Sequence, residues 1–274
     1  MLLSEQQLSS YLNNGLLMVD QLLSHDEVEL LRNEIQLLSQ KPLDSHLYEG
    51  HSYTMRALHG CDQQSDVMNK LVRLSRLLLP VEQMLDEQVY LHQFKVSIKS
   101  AFEGDVWRWH QDHAFWHYND ALPESKAITA AIFLDKVTEF NAPIYLIPGT
   151  KNEPLQPCKT FIKDAQLPNG SPEWHENVIA DFKYTMRSEE VKRLIKKNGI
   201  ISAKGDAGSV LFFHSSVPHA STWNISPWDR IAIFISYNVI SNRPVTVQVR
   251  RDEQRPLFLA ASSFDALTPL DEII

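Results

Sequence analysis

The segment Val89-Tyr-Leu-His-Gln-Phe-Lys-Val-Ser-Ile-Lys99 alternates apolar and polar residues along most of its length. Successive side chains of a strand point to opposite faces, so this period predicts a strand with one buried face. Further strand-like runs follow at residues 128–134, 141–150, 205–214 and 231–237. Turns follow these runs, and helices do not alternate with them. This layout excludes a doubly wound nucleotide-binding fold and predicts an antiparallel barrel or jelly roll.

The residues before this segment have helical patterns. A short helix is predicted over residues 4–13, followed by a brief strand at Leu16–Val19. The capping box Ser24-His-Asp-Glu27 predicts the start of a second helix, in which apolar residues recur at helical spacing. Residues 67–88 are also helical in character, and Pro80 is expected to end one helix or start another.

Residues 41–64 are polar and irregular, and they contain Pro42, two glycines and several histidines. A loop of this length within a compact domain is usually a lid or a binding loop, or it is disordered. We therefore expect residues 41–64 to be a lid that closes over a site.

A chain of 274 residues fits one elaborated domain better than two. We predict a single domain over residues 1–274, mainly β with a helical N-terminal layer around a double-stranded β-helix (jelly-roll, cupin-like) core. Its predicted parts are the helical layer and lid loop at 1–88, the core at 89–250 with an insertion at 151–204, and a tail at 251–274. A short helix is expected inside the insertion, over residues 188–197.

The composition excludes several classes of partner. A net charge of −8 argues against nucleic acid, because phosphate binding needs a basic face. The two cysteines, Cys61 and Cys158, are far apart, which excludes a thiolate metal site and fits a reducing compartment. No signal peptide or bilayer-spanning apolar run is apparent. We expect a cytoplasmic protein without a membrane partner.

The residue types that carry chemistry are concentrated in Trp107-Arg-Trp-His-Gln-Asp-His-Ala-Phe-Trp-His117. On a strand, His110 and Asp112 would project from the same face while Gln111 faces the other way. A neighbouring imidazole and carboxylate supply two of the three ligands in a 2-His-1-carboxylate site for non-haem Fe(II). The other match to this spacing, His25-x-Glu27, is explained by the capping box.

A second imidazole is available downstream. His219 directly follows a predicted strand, and Arg230 opens the next one eleven residues later. We expect these hairpin-linked segments to place Arg230 on the same inner face as the metal. There its guanidinium could bind a dicarboxylate through two parallel hydrogen bonds, and Ser221 could add a hydroxyl donor. His214 is a rival ligand, but the spacing to Arg230 favours His219.

A set of short motifs follows one another along residues 50–240. They are Trp109-His-Gln-Asp112, Glu139-Phe-Asn-Ala-Pro143, Leu146-Ile-Pro-Gly-Thr150, Gly205-Asp-Ala-Gly-Ser209, His219-x-Ser221 and Arg230, supported by residues 89–95 and Phe115-Trp116. In this order they resemble the phytanoyl-CoA dioxygenase family. The closer likeness is to ectoine hydroxylases and bacterial free-amino-acid hydroxylases, particularly leucine 5-hydroxylases. The resemblance implies a double-stranded β-helix, Fe(II), 2-oxoglutarate and O2.

The resemblance also implies roles for individual residues. His110, Asp112 and His219 correspond to the iron ligands, which would be the catalytic residues. Arg230 with Ser221 corresponds to the clamp for the distal carboxylate of 2-oxoglutarate. A carboxylate at position 112 favours hydroxylation, since related halogenases carry a small residue there. The chain departs from many relatives at Gly149-Thr-Lys151, where they have a histidine, and this affects local packing rather than the iron site.

The pocket residues are less sharply indicated. Gln93 and Lys95 are expected to contact the cosubstrate. Arg56, on the expected lid loop, is the candidate for the substrate carboxylate, although a salt bridge at the rim would equally explain it. The other expected substrate contacts are His59, Ser97 and Trp116.

The sequence thus predicts a hydroxylase of a free aliphatic L-amino acid, leucine-like, that releases succinate and CO2 from 2-oxoglutarate. A close alternative is a dioxygenase acting on proline, ectoine or a tailoring intermediate of natural-product biosynthesis. An alternative of another class is a non-oxidative metal-binding cupin, such as a sugar isomerase or a sensor. Arg230 and Ser221 argue against it, because such a protein needs no dicarboxylate clamp.

Overall fold

The computed structural model describes residues 2–50, 52–154, 184–244, 256–261 and 263–273. Most of the predicted insertion lies outside the described residues, as does the start of the tail. The helices in the described ranges are α1 (Glu5–Asn14), α2 (His25–Ser39), α3 (Asp66–Val72), α4 (Ser75–Leu85), α5 (Asp112–Asp120) and α6 (Ser188–Asn198).

The first two helices begin where their capping residues predict. Ser24 accepts a hydrogen bond from the backbone of Glu27, and the Glu27 carboxylate accepts one from the backbone of Ser24. Ser4 caps α1 in the same way. The interpretation of His25-x-Glu27 as the start of a helix is therefore confirmed.

The helical region before the central strand breaks at a different place from the one predicted. The chain leaves helical geometry around Arg73 and Leu74, between α3 and α4, whereas Pro80 lies inside α4. A proline inside a helix removes one N–H bond, here to the carbonyl of Arg76, and its ring crowds that carbonyl. Leu77, Leu78 and Val81 are fully buried, and this packing offsets the lost bond.

The described strands form two antiparallel sheets. The larger sheet has seven strands in the order β1-β9-β6-β11-β4-β3-β2, and the smaller has four in the order β5-β10-β7-β8. The strands are β1 (Leu16–Val19), β2 (His46–Tyr48), β3 (Met55–His59), β4 (Val89–Lys99), β5 (Trp107–His110), β6 (Ala127–Phe133), β7 (Ile144–Leu146), β8 (Ile201–Ala203), β9 (Val210–His214), β10 (His219–Ser221) and β11 (Arg230–Val239).

Residues 41–64 are not a loop, contrary to the prediction. They contain β2 and β3, which extend the larger sheet beyond β4, with Leu58 paired to Val96. Strand β1 also joins this sheet, next to β9. The sheet core therefore begins at Leu16 rather than at Val89, and the N-terminal layer supplies strands as well as helices.

The two faces of the larger sheet bury different apolar sets. Phe94 and Val96 of β4 belong to the main core beneath the N-terminal helices, together with Leu31 and Leu78. The other face, with Phe133, Phe213 and Ala232, packs against Ile144 and Leu146 of the smaller sheet. Two antiparallel sheets packed face to face, with helices behind one of them, confirm the predicted jelly roll and its helical layer.

In the described parts of the chain, no helix is both long enough and apolar enough to cross a lipid bilayer.

Candidate active site

Three potential metal ligands meet between the sheets. His110 ends β5, Asp112 begins α5, and His219 begins β10 directly opposite His110 in the strand ladder. The Nε2 atoms of both histidines lie 3.6 Å from Asp112 Oδ1. One ligand atom from each residue lies within 4.8 Å of the others, which suits a single ion.

Asp112 reaches this position from a helix rather than from the predicted strand. Gln111 between the two ligands keeps an extended backbone, with φ −113° and ψ 126°, so His110 and Asp112 still project to the same side. The Gln111 side chain points away, as predicted, and donates to the carbonyl of Ser216 over 2.7 Å.

Both imidazoles are prepared to bind a metal. The Nδ1 of His110 lies 2.7 Å from the carbonyl of Arg108, and that of His219 lies 3.1 Å from the carbonyl of Val217. A carbonyl can only accept, so Nδ1 carries the proton and Nε2 keeps its lone pair. Burial lowers the pKa of both histidines, which keeps them neutral near pH 7.

A hydroxyl pair that was not predicted orients the carboxylate. Thr129 donates to Asp112 Oδ2 over 3.4 Å, and its hydroxyl lies 2.9 Å from that of Ser236. Oδ1 is therefore the oxygen left facing the two histidines. The only sequence signal for this role is that Thr129 is the one polar residue in an otherwise apolar strand.

Arg230 and Ser221 lie at one end of the space between the sheets, and both are buried. Among the described residues, the Ser221 hydroxyl and the Nε and Nη1 of Arg230 have no hydrogen-bond partner. Burial lowers the pKa of Arg230 to about 10, against the opposing effect of Asp135. Buried donors without partners are costly, so this end of the site fits an anionic ligand such as a carboxylate.

The two residues do not belong to one hairpin, contrary to the prediction. Ser221 lies in the smaller sheet and Arg230 in the larger one. Lys99, the cross-strand partner of Arg230, brings them together, because its ammonium donates to the carbonyls of Thr222 and Asp105. Sequence reasoning gave no role to Lys99, although it continues the polar alternation of β4.

Gln93, Lys95 and Ser97 face the same space from β4, since the residues between them pack into the main core. The Lys95 ammonium lies 4.9 Å from the centre of the Trp107 ring and 5.0 Å from that of Phe234. Burial lowers the pKa of Lys95, and the negative charge of Asp112 partly restores it. Lys95 therefore points towards the three potential metal ligands.

Arg56 lies on β3 rather than on a lid, and it is 2% exposed. It forms an ion pair with Glu49 over 2.8 Å, donates to the carbonyl of Val106 over 2.9 Å and stacks 4.0 Å from the Trp107 ring centre. Two of its three nitrogens are already used by the protein. This arrangement supports a structural role more than contact with a substrate.

His59 and Trp116, the remaining residues expected to contact the substrate, differ in their placement relative to the three potential metal ligands. His59 is buried on β3 and pairs across the ladder with Lys95, so it belongs to the same face. Trp116 instead packs with Leu122 and Ala127 in a separate apolar cluster, which does not support its expected contact with the substrate. The structure brings His219, rather than His214, to the other two ligands.

The donor set fits iron, and the unpartnered Arg230 and Ser221 fit a dicarboxylate beside it. A jelly roll with such a site is the architecture of Fe(II)- and 2-oxoglutarate-dependent dioxygenases. A family model for phytanoyl-CoA dioxygenase (PhyH) matches residues 11–232. The chain belongs to the phytanoyl-CoA dioxygenase family.

Individual relatives agree with this membership. An L-proline trans-4-hydroxylase from Streptomyces griseoviridis is 35% identical over 263 residues, covering 95% of this chain and 94% of the relative. An ectoine dioxygenase from Bordetella bronchiseptica is 28% identical, covering 99% and 87%. The crystal structure of EctD from S. alaskensis with 2-oxoglutarate and 5-hydroxyectoine is 26% identical, with a TM-score of 0.78 and coverage of 97% and 86%.

These likenesses establish the class of enzyme. The chain is a 2-oxoglutarate-dependent dioxygenase that uses Fe(II) and O2, as predicted. The alternative of a non-oxidative cupin is thereby excluded.

Proposed function

We propose that this enzyme hydroxylates a free L-amino acid, with His110, Asp112 and His219 binding iron and Arg230 with Ser221 binding the distal carboxylate of 2-oxoglutarate. The observation that carries this proposal is the combination of two imidazoles and a carboxylate with buried donors that have no described protein partner. Lys99, beside Arg230, is a second basic side chain at the cosubstrate end, and burial together with the nearby Arg230 and Arg56 lowers its pKa well below the usual value.

Bound iron would supply the oxidising chemistry, in which 2-oxoglutarate, O2 and a C–H bond give succinate, CO2 and an alcohol. The protein supplies the orientation of the metal ligands and the burial of the cosubstrate site. The carbonyls behind each imidazole fix the direction of Nε2, and Thr129 fixes the carboxylate between them. Arg230 is buried, so its charge interaction with the bound cosubstrate would be stronger than at the surface.

A small apolar group could lie against an aromatic wall beside the metal ligands. Trp107, Phe115 and Tyr184 belong to one apolar cluster, in which the rings of Phe115 and Tyr184 meet edge to face at 5.9 Å. Lys95 lies over the Trp107 ring and could bind either a carboxylate of the cosubstrate or that of an amino acid. The same wall and charge would suit a zwitterion with an aliphatic side chain.

The relatives support a small substrate and favour proline over leucine as the first candidate. The relative at 35% identity is named an L-proline trans-4-hydroxylase, and several at 28–30% are named ectoine dioxygenases. A leucine-like substrate was the expectation from sequence, and ectoine or a tailoring intermediate is the alternative. We infer that the whole chain forms one catalytic domain, since the larger sheet combines strands from residues 16–19 through to residues 230–239.

The test is anaerobic reconstitution with Fe(II) and 2-oxoglutarate, followed by O2 and one amino acid at a time. We expect succinate release that depends on proline or an aliphatic amino acid, with a product heavier by one oxygen atom. Asp112→Asn is the control, because it keeps the shape of the side chain and removes its charge. Two outcomes would contradict the proposed substrate while leaving the class of enzyme intact. One is succinate release with ectoine but with no amino acid; the other is that none of the amino acids tested supports succinate release.

A further inference from the structure

One of the motifs on which the family resemblance rests, residues 139–143, contains none of the proposed ligands. It belongs to the β6–β7 connection, residues 134–143. Val137 of this connection donates to the carbonyl of Gly205 over 2.8 Å, and the backbone of Gly205 donates back over 3.2 Å. The connection also contacts the start of β11, where Arg230 lies.

The β6–β7 connection holds the main chain on both sides of Arg230. Oδ2 of Asp135 accepts a hydrogen bond from the N–H of Ile231 over 2.6 Å. Nδ2 of Asn141 donates to the carbonyl of Asp229 over 3.4 Å. Strand β4 pairs with Arg230 in the sheet. The backbone of Arg230 is therefore fixed both by the connection and by the central strand.

Asp135 and Asn141 are themselves held in place. Oδ1 of Asp135 accepts a hydrogen bond from Arg32 of α2 over 2.7 Å. Asn141 is buried, its Nδ2 also donates to the carbonyl of Lys136 over 2.8 Å, and its Oδ1 accepts from the backbone of Thr138 over 2.8 Å. Both side chains therefore meet β11 in fixed orientations.

The charge of Asp135 also acts on the guanidinium of Arg230. Burial lowers the pKa of Arg230, and the carboxylate of Asp135 opposes this effect. The two oxygens of Asp135 are used by Arg32 and Ile231, whereas Nε and Nη1 of Arg230 have no hydrogen-bond partner among the described residues. Asp135 thus stabilises the cation and leaves these two donors available to a ligand.

We propose that Asp135 and Asn141 are positioning residues for the cosubstrate, which fix the main chain around Arg230 and so direct its guanidinium into the space between the sheets. A cation held in this way loses little freedom when it binds a carboxylate, which strengthens binding. The proposal rests on the proposed function, in which Arg230 binds the distal carboxylate of 2-oxoglutarate. It gives the β6–β7 connection a role in selecting a 2-oxo acid with two carboxylates over one with a single carboxylate.

The positioning of Arg230 is tested without any ligand. In ¹⁵N-labelled protein, the Nε–H signal of Arg230 is assigned by its absence in Arg230→Met. We expect this signal to move in Asp135→Ala and in Asn141→Ala. It should stay in place in Glu27→Ala, the matched control, which removes another carboxylate that accepts from a backbone N–H and from an arginine. A signal that stays in place in Asp135→Ala and Asn141→Ala overturns the proposal, whatever Arg230 binds.

The effect on the cosubstrate is tested by anaerobic titration of the Fe(II)-loaded enzyme with 2-oxoglutarate and with 2-oxopentanoate, which lacks the distal carboxylate. Asp135→Ala should raise the Kd of 2-oxoglutarate about fivefold, the equivalent of one hydrogen bond, and leave the Kd of 2-oxopentanoate unchanged. In the Arg230→Met background, Asp135→Ala should cause no further rise. An equal rise for both acids, or additive effects of the two substitutions, overturns the proposal.

Arg230→Met separates this proposal from the proposed function. If Arg230→Met weakens 2-oxoglutarate binding and Asp135→Ala does not, the positioning proposal is wrong and the role of Arg230 stands. If Arg230→Met binds 2-oxoglutarate as the wild type does, the role of Arg230 is wrong, and the cosubstrate role of Asp135 and Asn141 is wrong with it. A selective fivefold rise in Asp135→Ala that disappears in the Arg230→Met background supports both.

Discussion

The arrangement of the three proposed metal ligands depends on single hydrogen bonds made to each of them. Thr129→Val removes the donor to Asp112 Oδ2 and keeps the shape of the side chain. Without that bond the carboxylate can rotate, so we expect Fe(II) affinity to fall roughly tenfold, the lower end for residues behind a metal ligand. Fe(II) titration of the apoprotein measures it.

Thr150→Val is the control for this substitution. Thr150 is also fully buried, but its hydroxyl donates to the carbonyl of Ile147. The free energy of unfolding should fall by similar amounts in the two variants, and only Thr129→Val should have a lower Fe(II) affinity. Equal iron affinity in both variants would show that Asp112 needs no support from Thr129.

The proposed role of Arg230 lies in binding 2-oxoglutarate rather than in stability. Its buried Nε and Nη1 have no partner among the described residues, so Arg230→Met removes an unfavourable buried charge. We expect the Kd of 2-oxoglutarate to rise by roughly 30-fold or more, with no loss of stability in the absence of 2-oxoglutarate. Isothermal titration and urea unfolding provide the two measurements.

Arg193→Met on the exposed face of α6 is the matched control and should change neither quantity. Arg193 is paired with Glu190 at the surface, where ion pairs contribute little. An Arg230→Met variant that binds 2-oxoglutarate normally would remove Arg230 from the proposed site.

The ligand candidates could be found from sequence because their residue types are rare and their order is specific. His110, Asp112 and His219 are the residues that the fold brings together. Thr129 and Lys99 were missed for a physical reason. A single hydroxyl in an apolar strand, or a lysine at a strand end, has the same pattern whether it supports a site or only packs.

At the scale of elements, the ion pair between Arg56 and Glu49 ties β3 to the segment that leads into β5. Glu49 also accepts from the backbone of Asp105, and both charged groups are buried. Arg56→Met leaves Glu49 buried without its partner, so we expect the free energy of unfolding to fall by about 3 kcal/mol. Urea unfolding measures this change.

The double variant Arg56→Met with Glu49→Leu separates structure from substrate binding. If the pair is structural, the second substitution should restore most of the stability, because no unpaired charge remains. The KM for the amino acid should then also recover. A KM that stays high in the stabilised double variant would favour the alternative, in which Arg56 contacts the substrate carboxylate.

Elements with strong local signals were predicted and the others were not. Strand β4 alternates clearly, and α1 and α2 carry capping boxes. Strands β2 and β3 have three and five residues, and their buried His46, Arg56 and His59 look like loop residues until a partner strand covers them. Their structure comes from pairing with β4, which no local pattern contains.

At the scale of the whole molecule, buried histidines make stability depend on pH. Burial lowers the pKa of His214 to about 4. Between this value and the ordinary pKa of about 6.5, the unfolded chain binds a proton that the folded chain does not. The contribution of His214 to stability is therefore complete above pH 6.5 and is lost as the pH falls towards 4.

His214→Gln should remove this contribution. Lowering the pH from 7 to 5 should reduce the free energy of unfolding of both proteins. We expect this reduction to be about 2 kcal/mol smaller in the variant than in the wild type. Urea unfolding at the two pH values measures the difference. His25→Gln, at the exposed start of α2, is the control and should follow the wild type. Parallel losses in His214→Gln and the wild type would contradict the lowered pKa.

The jelly roll as a class followed from a series of strands that do not alternate with helices, but the order of strands within it did not. β10 and β11 are successive in sequence, and a hairpin was the natural expectation for them. They lie in different sheets, because β11 pairs with β4 and β6 while β10 pairs with β5 and β7. Partner choice depends on contacts between residues far apart in sequence, which the residues around Arg230 cannot reveal.

His110 and His219 face each other across one rung of the ladder between β5 and β10. Their separation is therefore set by the spacing of adjacent strands and not by the length of the connections between them. Loops on either side could be exchanged or lengthened by a protein engineer without moving the two nitrogens apart. A slip of a single residue along that rung, in contrast, would turn one imidazole to the opposite face and abolish the cluster in one step.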